Sequence, residues 1–146
     1  MADFKVTSFY NNNYSGSKMF DNNLYTHWGS REGKYWDRNP VATITFYSIK
    51  EINRVKIVRL NERQLADHNH RYANLCVVLL DDTNNELDKK CTGPNGIFGE
   101  PYLVPKTNSI VMNFNDVQNV KTVKVDFTKP TENRGCIAEL FIYGMH

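Results

Sequence analysis

The stretch that decides the fold reads Val41-Ala42-Thr43-Ile44-Thr45-Phe46, in which apolar and hydroxyl-bearing residues alternate. Side chains two positions apart share one face of a β-strand, so Ala42, Ile44 and Phe46 would point together into a core. The same period of two predicts further strands on either side. These strands are Arg54–Ile57, Ile110–Phe114, Val123–Phe127 and Glu139–Tyr143.

Polar turns separate these strand candidates, for example at Asp81–Asn85 and at Gly93–Gly96. The best helical candidate is the single turn Ser17–Phe20, because no longer segment keeps a helical apolar stripe. About eight short strands divided by turns predict an all-β sandwich or barrel. The 146 residues, 40% of them hydrophobic, are enough for one domain, which we expect to span residues 1–146.

Two of the three cysteines lie in a predicted hairpin. Leu75–Leu80 is a strand candidate and Glu86–Cys91 its return, and the midpoint between Cys76 and Cys91 falls in the Asp/Asn-rich turn. Symmetric pairing would place these cysteines opposite each other, with Cβ atoms about 4.5–5.5 Å apart and close to disulfide range. Both a cross-strand disulfide and two separate thiols fit the spacing.

The bulk charge excludes some function classes. The formal net charge is +2, from 18 basic and 16 acidic residues, which is too balanced to predict a nucleic-acid partner. No apolar run reaches the about 18 residues of a transmembrane segment. Met1–Tyr10 contains no apolar run, so no signal peptide is visible, and the chain is either made without one or is a mature form with an added Met.

Catalytic motifs are missing from the sequence. It has no Gly-x-Ser-x-Gly, no His-Glu-x-x-His and no phosphate-binding glycine loop. Asp81 and Asp82 are adjacent carboxylates in a turn, and Cys136 has no assignable His partner. We therefore expect that the protein is not an enzyme.

Four stretches of the chain carry a family resemblance. They are Ser17–Trp28, Asn39–Phe46 with Ile49 and Ile52, Val55–Arg71, and Val123–Gly144. Their order and content resemble the F5/8 type C (discoidin-like) domains and, within them, the F-type lectins or fucolectins. The closing run, Cys136-Ile137-Ala138-Glu139-Leu140-Phe141-Ile142-Tyr143-Gly144, is similar to the end of those domains. The resemblance implies an eight-stranded antiparallel jelly-roll β-sandwich with a loop-built ligand site at one end.

A cation site is predicted near the start of the chain. Asp21, Asn23 and Thr26 offer oxygen side chains at short spacing, as a Ca²⁺ ion requires, although an ordinary Asx turn would give the same pattern. The resemblance implies that ligands near both ends of the chain complete a structural calcium site. These are Glu139 and the backbone carbonyls of Lys18 and Ala138.

The segment Arg59–Tyr72 is a candidate sugar-binding loop. It is crowded with arginine, which offers a rigid fork of donors, and with histidine, which adds a directional partner. The resemblance implies that Arg59 and Arg71 grip the sugar, and Arg63 lies between them. A solvated basic edge would account for the same arginines.

The sequence departs from the fucolectins in this region. The family's vicinal cysteines are absent, the loop is longer, and no histidine stands near Glu32–Lys34, where the family has its sugar-binding one. The residues that could substitute are His27, His70, Tyr35 and Trp36. The prediction is therefore a lectin for a glycan of fucose or galactose type, and not for fucose in particular.

Two alternatives remain open at this stage. A discoidin-like module would bind anionic phospholipid or a protein through exposed loop tips. The candidates are Tyr25, Trp28, Tyr35, Trp36 and Ile97-Phe98. A degenerate lectin fold would act only as a structural partner.

Expectations about partners and location follow from the lectin reading. We expect glycans or glycoproteins as partners, and a single weak site would favour a homo-oligomer through avidity. The resemblance also favours an extracellular, secreted protein.

Overall fold

The computed structural model describes residues 2–31, 37, 39–58, 75–91, 103–104, 109–127 and 136–144. They form nine strands: β1 Ala2–Val6, β2 Trp28–Gly29, β3 Val41–Val58, β4 Cys76–Leu80, β5 Glu86–Cys91, β6 Leu103–Val104, β7 Ser109–Asp126, β8 Cys136–Ile137 and β9 Glu139–Tyr143. Two short 3-10 helices, Asn12–Tyr14 and Gly16–Phe20, precede β2. The all-β prediction is confirmed. No helix in this described part has the length and apolar character needed to cross a membrane.

The strands pair antiparallel throughout the described residues. The main sheet has the order β1-β3-β7-β4-β5, with β6 added to β7 and β9 added to β3, and β2 pairs separately with β8. Strands β3 and β7 are each 18 residues long and form the centre of this arrangement. Three of the nine strands, β2, β6 and β8, have only two residues, which explains the excess over the expected eight.

The two central strands bend together. The register of β3 against β7 shifts between Thr45 and Arg54, and within β7 Asp116 and Asn119 have φ angles of 44° and 66°. Bulges of this kind bend a strand without ending its pairing. The sequence predicted separate strands before and after each of these segments. The structure instead has one continuous, bent strand in each case.

The core lies between the two halves of the bent strands. Ile44 of β3 and its partner Val123 of β7 lie on one side of the bend, and Ile57 and its partner Ile110 lie on the other. All four are buried in one apolar cluster. Trp28 is fully buried against Phe127, with ring centroids 5.9 Å apart. Its indole Nε1 donates to the backbone carbonyl of Ser8 at 2.8 Å, so its polar atom is satisfied.

The predicted hairpin is confirmed together with its disulfide. Cys76 of β4 lies directly opposite Cys91 of β5, and the two are bonded with a Cα–Cα distance of 4.0 Å. In the turn, Asp81 Oδ1 accepts from the backbone N–H groups of Thr83 and Asn85, both at 2.9 Å. Cys136 is buried in β8 and takes no part in this bond.

A close backbone approach joins the end of β9 to the bend of β3. A Cβ built on Gly144 would lie 1.6 Å from the carbonyl oxygen of Glu51 and 2.8 Å from its carbonyl carbon. Only glycine leaves room for the two backbones here. This contact holds the C-terminal strand against the central bend.

Candidate functional site

Three separate segments meet at one end of the described structure. β2 pairs with β8 through Trp28 opposite Ile137, and the last residue of β3, Val58, pairs with Glu139. The backbone N–H of Ala138 donates to the carbonyl of Val58 at 2.8 Å. The early loop, the end of β3 and the start of β9 are therefore fixed side by side, and the Arg59–Tyr72 segment begins directly after Val58.

The predicted acidic residues are brought together at this end. The backbone N–H of Asn23 donates both to Asp21 Oδ1 and to Glu139 Oε1, each at 3.1 Å. One N–H thus bridges carboxylates from the two ends of the chain. Glu139 is only 3% exposed, whereas Asp21 is on the surface.

Thr26 lies beside these carboxylates, and we call Asp21, Asn23, Thr26 and Glu139 together the oxygen cluster. The Thr26 hydroxyl donates to Asp21 Oδ2 and lies 3.1 Å from the carbonyl oxygen of Asn23. The side-chain Oδ1 of Asn23 is engaged elsewhere, accepting from the N–H of Tyr25 at 2.9 Å. Asn23 therefore contributes its backbone carbonyl to the cluster, while its side chain closes the turn.

The two carboxyls have opposite pKa shifts. Burial, reinforced by the neighbouring Asp21 carboxyl, raises the pKa of Glu139 from 4.5 to about 7. Partial burial also acts to raise the pKa of Asp21, but hydrogen bonds from Thr26, Glu139 and Asn23 outweigh it and lower that pKa below 3.8. The pair therefore holds one proton readily near neutral pH, and a bound cation could replace it.

The oxygen donors suit a hard cation. Ca²⁺ takes six to eight oxygens at about 2.3–2.6 Å, which places neighbouring ligands about 3 Å apart, and Thr26 Oγ1 lies 3.1 Å from Asn23 O. Within the described ranges, no three His, Cys, Asp or Glu side chains group closely enough to hold a metal. Any ion here would thus depend on hydroxyl and carbonyl oxygens as well as on Asp21 and Glu139. The Asx turn considered from sequence is also present, since Asp21 accepts from Asn23.

His27 has little surface to offer a sugar. It was one of the residues considered as a substitute for the missing family histidine, but it is only 4% exposed. Its ring contacts that of Tyr14, with centroids 5.0 Å apart, and Tyr14 in turn contacts Tyr10. His27 is therefore buried against Tyr14, and a sugar contact by His27 stays a prediction.

The other predicted sugar contacts lie outside the described residues. They are Tyr35, Trp36, Arg59, Arg63, His70 and Arg71.

Arg31 and Asp37, the residues that flank Glu32–Trp36 in the sequence, are described, however. The carbonyl of Arg31 accepts from the N–H of Asp37 at 2.9 Å. Asp37 Oδ2 accepts from the hydroxyls of Thr7 and Ser8, both at 2.6 Å. Arg31 and Asp37, which flank these residues in the sequence, are therefore joined to each other, and Asp37 is also bound to Thr7 and Ser8.

Several aromatic side chains near the cluster are solvent-exposed. Tyr25, between the cluster residues Asn23 and Thr26, is 78% exposed, and the adjacent Leu24 is 49% exposed. Tyr10 is 48% exposed, and sequence reasoning missed it because a single aromatic beside an Asn-rich run carries no periodic signal. Trp28 is fully buried, so it is removed from the exposed loop tips that a lipid-binding module would use.

The sequence itself finds no match among protein-family models or curated proteins. Its structure does match solved structures over nearly its whole length. The lectin domain of lectinolysin in complex with Lewis B antigen aligns with a TM-score of 0.68 and 18% identity, covering 99% of this chain and 93% of that one. The family 32 carbohydrate-binding module of C. perfringens NanJ, in complex with galactose, aligns with a TM-score of 0.71 and 11% identity, covering 97% and 92%.

A third similar structure is chitosan-binding module 1 of a chitosanase/glucanase from Paenibacillus sp. IK-5. It aligns with a TM-score of 0.67 and 18% identity, covering 97% of this chain and 94% of that one. The chain has the galactose-binding-like fold. At these identities the likeness establishes the galactose-binding-like, or discoidin-like, architecture that the resemblance predicted. Each of these three similar structures is a binding module or a lectin domain by name.

Proposed function

We propose that this protein is a lectin that binds a glycan of fucose or galactose type at the loop end described above. The observation that carries the proposal is the meeting of Asp21 and Glu139, from opposite ends of the chain, on one N–H of Asn23 at that end of a galactose-binding-like fold. The similar structures are named for chitosan binding or were solved with Lewis B antigen or galactose, and this supports a sugar as the ligand class.

In the proposed site, side chains of the loops contact the sugar and a cation stabilises the loops. Arg59 and Arg71 would donate to sugar hydroxyls through their guanidinium forks, and the exposed ring of Tyr25 would cover an apolar C–H face. Asp21 and Glu139 would hold a structural Ca²⁺ with Thr26 and backbone carbonyls. When bound, the ion would neutralise the two carboxylates and fix the early loop against β9, which reduces the ordering cost of sugar binding.

The contacts of Asp21 and Glu139 support binding without catalysis. In the oxygen cluster, Asp21 is engaged by Thr26 and Asn23, and Glu139 is engaged by Asn23, as expected of groups that fix a loop. The Cys76–Cys91 disulfide supports an extracellular location, because such bonds persist in oxidising compartments.

A glycan-array experiment tests the lectin proposal. We expect the wild-type chain to bind fucose- or galactose-containing glycans in the presence of Ca²⁺, and to lose at least about tenfold in affinity on chelation, because the loops lose their clamp. Arg71→Ala should abolish binding, since it removes a charge-assisted donor fork.

Arg54→Ala is the matched control for that variant. Arg54 is an exposed arginine whose guanidinium carbon lies 4.1 Å from the centre of the Tyr143 ring on the sheet, so its loss should leave glycan binding unchanged. A flat signal on every glycan, with a folded protein and saturating Ca²⁺, would contradict the proposal.

A second candidate function has one observation in its favour. Leu24 and Tyr25 are adjacent exposed apolar side chains, and the charge of Lys18 acts on the nearby Asp21, a combination that suits insertion into an anionic lipid surface. Binding to phosphatidylserine vesicles that Tyr25→Ala weakens, and that free fucose and galactose do not compete, would favour this function over the lectin.

A further inference from the structure

Strand β1 forms one edge of the main sheet and has a side open to a partner. Within the described residues it pairs with β3 alone, while β5 forms the opposite edge. Residues 2–5 are exposed and Val6 is half-buried. An open edge presents backbone donors and acceptors that another strand can satisfy.

The direction of the open groups follows from the register. The N–H of Thr7 donates to the carbonyl of Val41 at 3.1 Å. Because hydrogen-bonding direction alternates along an antiparallel strand, Lys5 and Asp3 also point their backbone groups toward β3. The N–H and carbonyl groups of Ala2, Phe4 and Val6 therefore point outward, away from the sheet.

The sequence of β1 is self-complementary about Phe4. If two copies of Ala2-Asp3-Phe4-Lys5-Val6 pair antiparallel with Phe4 opposite Phe4, then Asp3 of each copy lies opposite Lys5 of the other. The Phe4 pair and the two Ala2–Val6 pairs fall at the outward-pointing, hydrogen-bonded positions. The two Asp3–Lys5 pairs fall at the non-hydrogen-bonded positions, where side chains are closest.

We propose that β1 is a dimerisation edge, on which a second copy of this chain adds its own β1 antiparallel about a two-fold axis at Phe4. The sheets of two copies would then continue through the contact, joined by backbone hydrogen bonds and two reciprocal Asp3–Lys5 ion pairs. The proposal does not rest on the proposed sugar site, which uses no residue of β1.

The core-side face of β1 has apolar surface for this partner to cover. Phe4 and Phe20 are 44% and 42% exposed, with ring centroids 5.1 Å apart. They line an open cavity of about 320 Å³ together with Ala2, Asp3 and Ile44. In the two-fold arrangement Phe4 of each copy would pack against Phe4 of the other, which covers aromatic surface that the single chain leaves in water.

Charge reversal tests this edge directly. Asp3→Lys alone, or Lys5→Asp alone, converts both ion pairs into like-charge contacts, so sedimentation equilibrium should show at least about a tenfold increase in the dimer dissociation constant for each. The double variant Asp3→Lys/Lys5→Asp should restore the dimer, because each pair is regained with its signs exchanged.

Mixing the two single variants gives the sharpest readout. Neither should dimerise by itself, yet an equimolar mixture should form a heterodimer, because one copy then presents two ammonium groups to two carboxylates on the other. A misfolded variant could not regain association in this way. Asp82→Lys, the same charge change in the turn beside the opposite sheet edge, is the control and should leave the dimer intact.

Two results would overturn the proposal. One is a wild-type chain that stays monomeric up to about 300 µM, a range that covers the weak association expected of a small edge interface. With a monomeric chain, the open edge of β1 would remain available only to a strand other than a second β1. The second is a wild-type dimer that Asp3→Lys and Lys5→Asp do not weaken.

Discussion

Glu139 combines two properties that a carboxylate seldom combines. It is almost fully buried, and it shares a backbone donor with a second carboxylate, Asp21. Without a cation, burial and the neighbouring Asp21 carboxyl make its ionised form costly, and the shared N–H of Asn23 offsets this only in part, so the pKa is about 7. The side chain is therefore well placed to exchange a proton for a metal ion.

The pKa of Glu139 predicts how metal-free stability depends on pH. The folded-state pKa of about 7 lies above the ordinary value of 4.5, so between these values the folded chain holds a proton that the unfolded chain has lost. Linkage then requires stability to fall as pH rises through this window, by about 3 kcal/mol in total for this group. Urea unfolding in chelator from pH 4.5 to pH 8 measures the effect.

Glu139→Gln isolates this group from the other titrations. The variant should lack the component of the pH dependence that falls between about 4.5 and 7. We also expect Ca²⁺ to raise the melting temperature of the wild-type chain, and Glu139→Gln to lose this rise. If wild type and Glu139→Gln had parallel stability curves across this range, the pH prediction would be wrong.

Single residues of the site were unequally predictable. Asp21 could be identified from its spacing to Asn23 and Thr26, and Glu139 from the family resemblance, and the structure brings the two carboxyls together. The burial of His27 could not be read, because it depends on Tyr14 and on how the intervening loop folds back. The contact of the Asn23 carbonyl with Thr26 could not be predicted either, because the direction of a backbone carbonyl depends on how the loop folds.

At the scale of elements, the main surprise is the continuity of β3 and β7. Alternation locates Val41–Phe46 and Arg54–Ile57 correctly, but residues 47–53 between them do not keep the period of two, so the sequence predicts a break between two strands. In the structure Lys50 pairs with Val120 and Ile52 with Val117 across the shifted register, so pairing persists through the bend. Period alone cannot distinguish a bulge from a turn, because both insert residues out of phase.

The contact at Gly144 gives a prediction at this scale. Gly144→Ala would place a methyl group against the backbone carbonyl of Glu51, which cannot move aside without disturbing the bend of β3. We expect a loss of about 3 kcal/mol in the free energy of unfolding, measured by urea denaturation.

Gly16→Ala is the comparison for that variant. Its added Cβ would meet the side chains of Val6 and Phe4 at 3.1 and 3.3 Å, and these can shift more easily than backbone. A cost below about 1 kcal/mol is expected for this change. Equal losses for the two glycine variants would show that the approach of β9 to β3 is not the cause.

At the scale of the whole molecule, the nearly balanced charge predicts different salt dependences for the proposed interactions. With a formal net charge of only +2, binding of a neutral glycan should change less than about twofold between about 50 and about 500 mM NaCl, because no long-range field is being screened. The β1 dimer, which uses two exposed ion pairs, should weaken over the same range.

Titration calorimetry and sedimentation at several salt concentrations measure these two responses separately. An anionic-lipid module would behave in the opposite way to the lectin, with affinity falling steeply as salt rises. A steep salt dependence of binding to a neutral glycan would therefore count against the lectin proposal.

The pairing of β3 with β7 has a further consequence, for the time that the chain needs to fold. This ladder runs from Val41 opposite Asp126 to Val58 opposite Ser109, so every rung joins residues from distant parts of the chain. A large loop must close before any rung forms, and proteins dominated by such non-local pairs fold in about milliseconds to seconds. The β4–β5 hairpin, closed locally and linked by Cys76–Cys91, can form much sooner and offer β4 as a template for β7.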